Sequence, residues 1–351
     1  MIRLRPLQTL PERALEGWSA LARASELSNV FADPRWVVAS ACLQDVDPLV
    51  AWLGSDETPE LVLPLSAAPR TRAMPVPHLR AFWTDNTYQA SLLCRGIPCE
   101  EHLRALSRAL GAAGGRKAAA ISMAAQPIDA QSNSLDEAWG SPIVSRAWSR
   151  AAIDLTLDIA DPLEGVSKNK RKKVRRSLSR LERLGSVSFD IVLGEAGADC
   201  FLRLEHEGWK GQNGTSLRAL GRREVWFRSV VRAFGDDAVF TVLRCGDEVV
   251  ATSVNFVSGY TAFGFKIGWN PAYAECSPGV LQELFYVRQA KQIFPGVRLV
   301  DSVSDEQSFV EPWWPDRRAF RSATYALTPT ARAAHRISRG LQRLIVRGNA
   351  A

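Results

Sequence analysis

Residues 261–287 have the sequence TAFGFKIGWNPAYAECSPGVLQELFYV. Aromatic and β-branched residues in 261–267 predict a strand, and the Gly, Asn and Pro residues that follow predict an irregular loop. The loop is followed by apolar residues at helical spacing, which are Val280, Leu281, Leu284 and Val287. This stretch therefore predicts a strand, a loop and a crossover helix in succession.

The predicted start of this helix is a candidate site for a phosphate-bearing ligand. The first turn of a helix has backbone N–H groups without intrahelical partners and lies at the positive end of the helix dipole. We expect a pyrophosphate to contact the hydroxyl of Ser277 and the backbone of Gly279, Val280 and Leu281. Ser-Pro-Gly is by itself a common turn or cap, but its position between a strand and a crossover helix favours the binding interpretation.

The same order of elements is predicted in both halves of the chain. In the first half, helices over 10–27 and 33–43 precede strands over 49–53, 61–66, 79–83 and 90–94, a helix over 100–110 and a strand over 118–124. In the second half, helices over 198–208 and 222–234 precede strands over 239–244, 249–257 and 261–267, a helix over 279–293 and a strand over 297–303. We interpret this pattern as an internal duplication.

The predicted fold class is mixed α/β, with two lobes that each contain a mixed, mostly antiparallel sheet flanked by helices. The predicted boundaries are 1–157 for the first lobe, 158–330 for the second and 331–351 for a basic terminal helix or tail. In the first lobe, the equivalent crossover helix begins with Glu100 and Glu101, whose charges would repel a phosphate. We therefore expect the first lobe to hold no cofactor and to shape the substrate cleft.

Composition and charge narrow the possible classes of protein. The chain has 351 residues, 46% of them hydrophobic, and a formal net charge of +7, which favours anionic partners. Its six cysteines form no CxxC pair and its four histidines show no metal-ligand spacing, so we expect no metal site. No run approaches the roughly 20 apolar residues of a membrane span, and the N-terminus has no apolar signal core, so we expect a cytoplasmic protein.

A basic helix is predicted over 168–183. Val174, Leu178 and Leu181 form one apolar stripe, while the other faces carry many Lys and Arg residues. Asp161-Pro162 is the predicted helix start and Gly185 the predicted stop. The positive faces fit a solvated surface, contact with cofactor or substrate phosphates, or a surface for tRNA or anionic lipid, and the sequence leaves these alternatives open.

Three further segments carry a resemblance to a known family. They are FLRLEHEGWKGQNGT at 201–215, FGFKIGWNPAY at 263–273 and SPGV at 277–280. In combination they resemble the GNAT superfamily, in particular its cellulose-biosynthesis-associated, BioF2-like branch, which is related to Fem-type aminoacyl transferases. The resemblance extends over about residues 163–321, and it departs from the family at Trp269-Asn270, where many relatives carry a Tyr-Asp pair.

The resemblance implies a GNAT fold and direct transfer of an acyl group from acyl-CoA or aminoacyl-tRNA to an amine or hydroxyl. Direct transfer needs hydrogen-bond donors for the oxyanion, which the resemblance places in the backbone of 265–268, and a base for the acceptor's proton. Lys266 is the basic candidate in the cleft, and Glu205 and Asp301 are the candidate bases. Tyr273 is a candidate proton donor to the leaving thiolate. Each of these residues also has an ordinary structural interpretation.

Two residues of the first motif are candidates for substrate binding. Trp209 fits a cleft wall or the core, and Lys210 fits either an anionic substrate group or solvent.

Three functions remain open. The first is an acyltransferase that uses acetyl-CoA or another acyl-CoA and acts on a small metabolite, sugar or polysaccharide precursor. The second is an aminoacyl-tRNA-dependent Fem-type transferase, which the basic helix supports. The third is a catalytically silent scaffold. The acyl chain length, the acceptor, the oligomeric state and the pathway are not predicted.

Overall fold

The structure is a computed structural model that describes residues 1–43, 47–70, 74, 78–112, 120–335 and 337. The chain divides into two compact units, one formed by residues 1–37, 44–148 and 319–351, and the other by 38–43 and 149–318.

The secondary structure alternates between groups of helices and groups of strands. The strands are β1 (Arg3–Pro6), β2 (Leu49–Gly54), β3 (Pro59–Ala68), β4 (His78–Ala81), β5 (Leu93–Cys94), β6 (Ala120–Pro127), β7 (Ile143–Asp154), β8 (Val187–Leu193), β9 (Ala238–Cys245), β10 (Glu248–Ser258), β11 (Thr261–Trp269), β12 (Leu299–Asp301) and β13 (Asp316–Ala326). The helices are α1 (Glu12–Ala24), α2 (Pro34–Ala41), α3 (Glu100–Ala112), α4 (Ala130–Trp139), α5 (Lys168–Glu182), α6 (Glu195–Glu207), α7 (Trp209–Gln212), α8 (Arg222–Phe234) and α9 (Pro278–Ile293).

In the first unit, β1, β2, β3 and β4 form an antiparallel sheet in that order, and β5 pairs with β3. Strand β4 then pairs in parallel with β6. A parallel pair needs a long crossover connection, and this one contains α3. Leu103, Leu106 and Leu110 of α3 are fully buried in the core of this unit.

The second unit repeats this arrangement. Strands β8, β9, β10 and β11 are antiparallel neighbours, and β11 pairs in parallel with β12. Helix α9 lies in the crossover between β11 and β12 and buries Leu281, Leu284 and Val287 in the core. The predicted fold class, a mixed α/β chain with the same order of elements in each half, is confirmed.

Strand pairing places the unit boundaries elsewhere than at the predicted positions 157 and 330. The last residues of β7, from Ala152 to Asp154, pair with β12, so they belong to the second unit. Strand β13 pairs with β6 from Phe320 to Ala326, so this part of the chain belongs to the first unit. Of the predicted tail 331–351, the structure describes residues 331–335 and 337, and residues 329–335 are helical.

The basic helix α5 starts later than the sequence predicts. Ser167 is its N-cap and accepts a hydrogen bond from the backbone N–H of Lys170, at 3.4 Å. Asp161 cannot serve as the cap, because its carboxylate instead accepts from the N–H of Leu163 and pairs with Arg288, each at 2.8 Å. As predicted, Val174 and Leu181 face the core.

No helix among the described residues is long and apolar enough to cross a membrane. Within the same residues, no group of three or more His, Cys, Asp or Glu side chains is arranged to hold a metal ion.

Candidate functional site

The second unit contains a cavity of about 610 Å³ beside the end of the β11–β12 ladder. The ladder runs from Thr261 paired with Leu299 to Phe263 paired with Asp301. Just beyond this pair, residues 264–267 of β11 and residues 302–304 line the cavity, together with the first residues of α9. The cavity therefore lies where the sequence predicts the cleft.

A β-bulge shapes the wall that β11 contributes. Val254 of β10 faces Lys266, but the next residue, Asn255, faces Gly264, so Phe265 is an extra residue in β11. A bulge changes the direction of the side chains next to it. As a result, two consecutive side chains of one strand, Phe265 and Lys266, both line the cavity.

The cavity is lined from both faces of the sheet. Successive side chains of a strand point to opposite faces. In β9, Phe240 packs against Phe201 of α6, whereas the neighbouring Thr241 accepts a hydrogen bond from Gln282 of α9 at 2.6 Å. Helices α6 and α9 therefore cover opposite faces of the sheet, and residues on both faces line the cavity.

On the α6 face, two lysines are close together. Lys210 Nζ lies 3.6 Å from Glu205 Oε1 and donates to the carbonyl of Ile267 at 3.3 Å. Burial lowers the pKa of Lys210, and burial followed by the positive charge of Lys210 lowers the pKa of Lys266 to about 8. Both lysines line the cavity.

Glu205 lies behind Lys210 and is 1% exposed. Its Oε2 accepts from the N–H of Leu217 at 2.8 Å, while Oε1 is buried without a hydrogen bond among the described residues. A buried carboxylate oxygen without a hydrogen-bond donor is costly, so the ion pair with Lys210 is its main compensation.

On the α9 face, the start of the helix forms part of the cavity wall. Ser277, Gly279 and Val280 line the cavity, and Ser277 is the N-cap, with no side-chain hydrogen bond to the helix. The backbone N–H groups of Val280 and Leu281 donate to the carbonyl of Ser277, at 3.0 and 3.2 Å. The side chain of Leu281 lies in the core and is not one of the described residues that line the cavity.

Deeper on the α9 face lies a set of buried polar side chains that the sequence analysis did not identify. Glu283 is 5% exposed, and its Oε2 accepts from Trp314 Nε1 at 2.7 Å. Burial raises the pKa of Glu283 to about 7. The hydroxyl of Tyr286 donates to Asn255 Oδ1 at 2.8 Å, and burial raises its pKa well above the usual value. All four side chains line the cavity.

Glu283 could have been found from its helical position. It follows Gly279 by four residues and precedes Tyr286 by three, so it shares the face that begins at the predicted phosphate site. Because the apolar residues Leu281 and Leu284 lie close to Glu283 in the sequence, the local pattern of this part of the helix indicates the core.

Asp301 does not fit its predicted role as a base. It is fully buried, and its two carboxylate oxygens face two guanidinium groups, Arg150 Nη1 at 3.3 Å and Arg318 Nη1 at 2.6 Å. It also accepts from the N–H of Val303 at 2.8 Å. Two guanidinium groups and a backbone N–H compensate the buried carboxylate, so its oxygens are already engaged. Asp301 therefore fixes the turn at 302–304, where Val303 has a φ of +57° that is unusual for a β-branched residue.

A further predicted residue, Tyr273, is not brought to the cavity. Tyr273 packs against the core cluster that contains Cys276, and it is not one of the described lining residues. Trp209 begins α7, but its side chain lies outside the part of the chain that the structure describes.

Comparisons with known proteins give a family match for part of the chain. Residues 168–309 match the family model described as acetyltransferase (GNAT) domain. No curated protein matches the sequence.

Solved structures match the fold over most of the chain. FemX shares 12% identity, with 88% of this chain and 95% of that chain covered and a TM-score of 0.58. A conserved protein of unknown function from Bacteroides thetaiotaomicron VPI-5482 shares 12% identity, with 92% and 99% covered and a TM-score of 0.59. The C-terminal domain of a putative lysylphosphatidylglycerol synthetase from Agrobacterium fabrum shares 16% identity, with 92% and 94% covered and a TM-score of 0.51. These likenesses show a shared fold.

Proposed function

We propose that this chain, whose residues 168–309 match the acetyltransferase (GNAT) domain model, transfers an acyl group, most simply acetyl, from acyl-CoA directly to an acceptor. The acceptor is an amine or hydroxyl of a small metabolite, sugar or polysaccharide precursor, and the reaction takes place in the cytoplasm. The resemblance to the BioF2-like branch supports this substrate class. The observation that carries the proposal is a cavity that reaches from the start of α9 to the opposite face of the sheet.

The start of α9 fits the phosphates of the donor. The helix has 16 residues with Pro278 in its first turn, no acidic residue there and no side-chain cap from Ser277. A Cβ atom added to Gly279 would meet the side chains of Trp269 and Ile267 at 3.8 and 3.9 Å, which are ordinary van der Waals distances, so the backbone of this glycine is not crowded. Because the N–H groups of Val280 and Leu281 donate to Ser277 and Pro278 has none, a phosphate here would be held by the N–H of Gly279 and the positive end of the helix dipole.

The two carboxyl groups on opposite faces suggest how protons move. On the acceptor side, we assign Glu205 as the final acceptor of the proton from the attacking amine or hydroxyl. Because Glu205 is buried behind Lys210, Lys210 passes one of its protons to Glu205 and takes the proton of the acceptor. On the donor side, Glu283 gives a proton to the departing sulfur as the carbon–sulfur bond breaks and the new bond to the acceptor forms. A carboxyl with a pKa of about 7 is a stronger acid than a thiol, whose pKa is about 8.5, so this transfer is favourable.

The second candidate is the aminoacyl-tRNA-dependent transferase, and helix α5 is the observation that favours it. Its exposed stripe recurs at helical spacing along the whole helix and consists of Lys168, Arg171, Lys172, Arg175, Arg176, Arg180 and Arg183. Of these residues, only Arg180 has a carboxylate partner in the part of the chain that the structure describes, Glu275 at 3.0 Å. Such a stripe suits a phosphate backbone.

Calorimetric titration with acetyl-CoA and longer acyl-CoAs tests the leading proposal. We expect micromolar binding to the unmodified protein and a loss of about a hundredfold or more in Gly279→Glu, because like charges brought together cost several kcal/mol. Gly96→Glu is the matched control, since Gly96 lies in the first unit and a Cβ atom there meets nothing within 4 Å. If no acyl-CoA binds to the unmodified protein, the proposal fails and charged tRNA becomes the donor to test.

A further inference from the structure

We infer that the acceptor carries an anionic group, a carboxylate or a phosphate, and that Lys266 binds it on the α6 face of the cavity. This inference rests on the proposed function, and it names the class of molecule that accepts the acyl group.

The first observation is that Lys266 has no acidic partner. Among the described residues, no carboxylate lies within 4.0 Å of its ammonium, and its recorded contact is with the Phe265 ring, whose centroid is 5.1 Å away. The neighbouring Lys210 does have a carboxylate partner, since Glu205 Oε1 is 3.6 Å from its Nζ. Lys210 is therefore already paired with a carboxylate, whereas the ammonium of Lys266 is available to bind an anion.

The second observation is an excess of positive charge around Lys266. The charges of Lys210 and Arg223 act against its protonated form, and the charge of Glu205 acts in its favour. Two positive charges and one negative charge thus act on Lys266, which lies in a partly buried region. An ion moved out of water without full compensation raises the free energy of the folded protein, and a bound anion would restore the balance.

The third observation is the position of Lys266 relative to the donor site. The bulge at Phe265 aligns Lys266 with Val254, on the face that α6 covers, whereas the proposed phosphate site at Ser277–Val280 belongs to α9 on the other face. The anion site at Lys266 and the proposed phosphate site at the start of α9 are therefore separate sites. A donor that occupies the α9 side leaves the Lys266 side for the acceptor.

The chemistry of a lysine fits a single compact anion. Its ammonium is a point charge with three donors, so it suits a carboxylate or a terminal phosphate. Because burial also lowers the pKa of Lys266 to about 8, the bound anion should raise this pKa and hold the side chain in its charged form.

The test uses two pairs of unreactive probes with the CoA-saturated protein. Glucose 6-phosphate is compared with glucose, and glutarate with glutaramide, by saturation-transfer NMR titration. We expect the anionic member of at least one pair to bind at least about tenfold more tightly than its uncharged counterpart, which corresponds to about 1.4 kcal/mol. The pair that shows the difference tells whether phosphate or carboxylate is preferred.

Variants assign the effect to the residue. In Lys266→Gln, the anionic probe should bind no more tightly than the uncharged one, and Lys266→Arg should keep the preference. Lys291→Gln is the matched control, because Lys291 is an exposed lysine on α9 whose nearest acid is Asp158 at 3.9 Å, and it should behave like the unmodified protein.

Two results would overturn the inference. One is equal binding of charged and uncharged probes to the unmodified protein, and the other is an unchanged preference in Lys266→Gln. Repeating the titration without CoA in Gly279→Glu separates this inference from the proposed function. If acyl-CoA does not bind but the preference for the anionic probe persists, the result contradicts the proposed donor and leaves the anionic acceptor in place.

Discussion

The crossover helices of the two units occupy the same place in the fold but bury different side chains. In α3, the buried residues are Leu103, Leu106 and Leu110. In α9, the buried face also includes three polar residues that are at most 5% exposed, Gln282, Glu283 and Tyr286. Since buried polar groups are costly, a stable core alone does not explain them.

The first turns of the two crossover helices also differ. Helix α3 begins with Glu100 and Glu101 and lies next to a cavity of about 240 Å³, whereas α9 begins without acids next to a cavity of about 610 Å³. The comparison teaches that one topology can serve two purposes. In α3, acids occupy the first turn and leucines fill the buried face. In α9, the first turn has no acid, Ser277 makes no side-chain hydrogen bond to the helix, and the buried face includes polar residues.

The largest expected effect concerns the arginine–carboxylate clusters, one in each unit. Asp301→Asn should lower the free energy of unfolding by about 3–5 kcal/mol, because it leaves two guanidinium groups facing an amide in a buried position. Asp136→Asn, in the first unit, should cost about 1–2 kcal/mol, because Asp136 is 30% exposed although Arg321 and Tyr325 both donate to it. Urea unfolding of both variants measures the two losses of unfolding free energy. Equal losses would show that burial does not distinguish the two clusters.

The next effect concerns Glu283, which has no polar counterpart among the buried residues of α3. Glu283→Gln should lower kcat about a hundredfold, since it removes the proposed proton donor, while the affinity for acyl-CoA stays unchanged. Steady-state kinetics and calorimetry together check this. Glu275→Gln is the control, because Glu275 is an exposed acid just before α9. A normal kcat in Glu283→Gln would show that the buried carboxyl has another purpose.

The pH dependence of stability should separate the two faces of the cavity. Lys266 has a folded pKa of about 8, below the ordinary value of 10.5, so between these values the unfolded chain binds more protons. The contribution of Lys266 to stability should therefore rise as the pH increases from about 8 to about 10.5, and Lys266→Gln should make the rise smaller.

Glu283 has a folded pKa of about 7, above its ordinary value of 4.5, so its effect has the opposite sign. The stability that it contributes is fully present below pH 4.5 and is lost as the pH rises through 7. Thermal unfolding of Glu283→Gln across this range should show a flatter curve and a higher Tm at pH 8. A curve that matches the unmodified protein would mean that the carboxyl is not held in its protonated form.

The smallest effect concerns the acids at the start of α3. The double variant Glu100→Gln, Glu101→Gln should lose about 0.3–1 kcal/mol per charge, since acids at a helix start interact favourably with its dipole. Acyl-CoA binding should not change. A variant that gained a second acyl-CoA site would show that these charges alone keep the first unit from binding the donor.

Local patterns were enough to predict most elements. The helix over 222–234 was predicted with its observed bounds, and the strands near 239–244 and 261–267 were predicted to within two residues at each end, because their apolar spacing is regular. Strands β1, β8 and β13 were not predicted. In β8 only partly buried residues alternate with exposed ones, as expected for an edge strand, so its hydrophobic pattern is weak.

The sequence by itself determined the duplicated order of elements and indicated the start of α9, with Gly279, as the candidate phosphate site. These follow from spacing and turn chemistry, which act between near neighbours in the chain. Only the tertiary structure decided which acids belong to the site. Asp301 meets Arg150, which is 151 positions away, and Glu283 meets Trp314, which is 31 positions away. Burial and long-range partners set the charge of a carboxyl, and neither can be read from neighbouring residues.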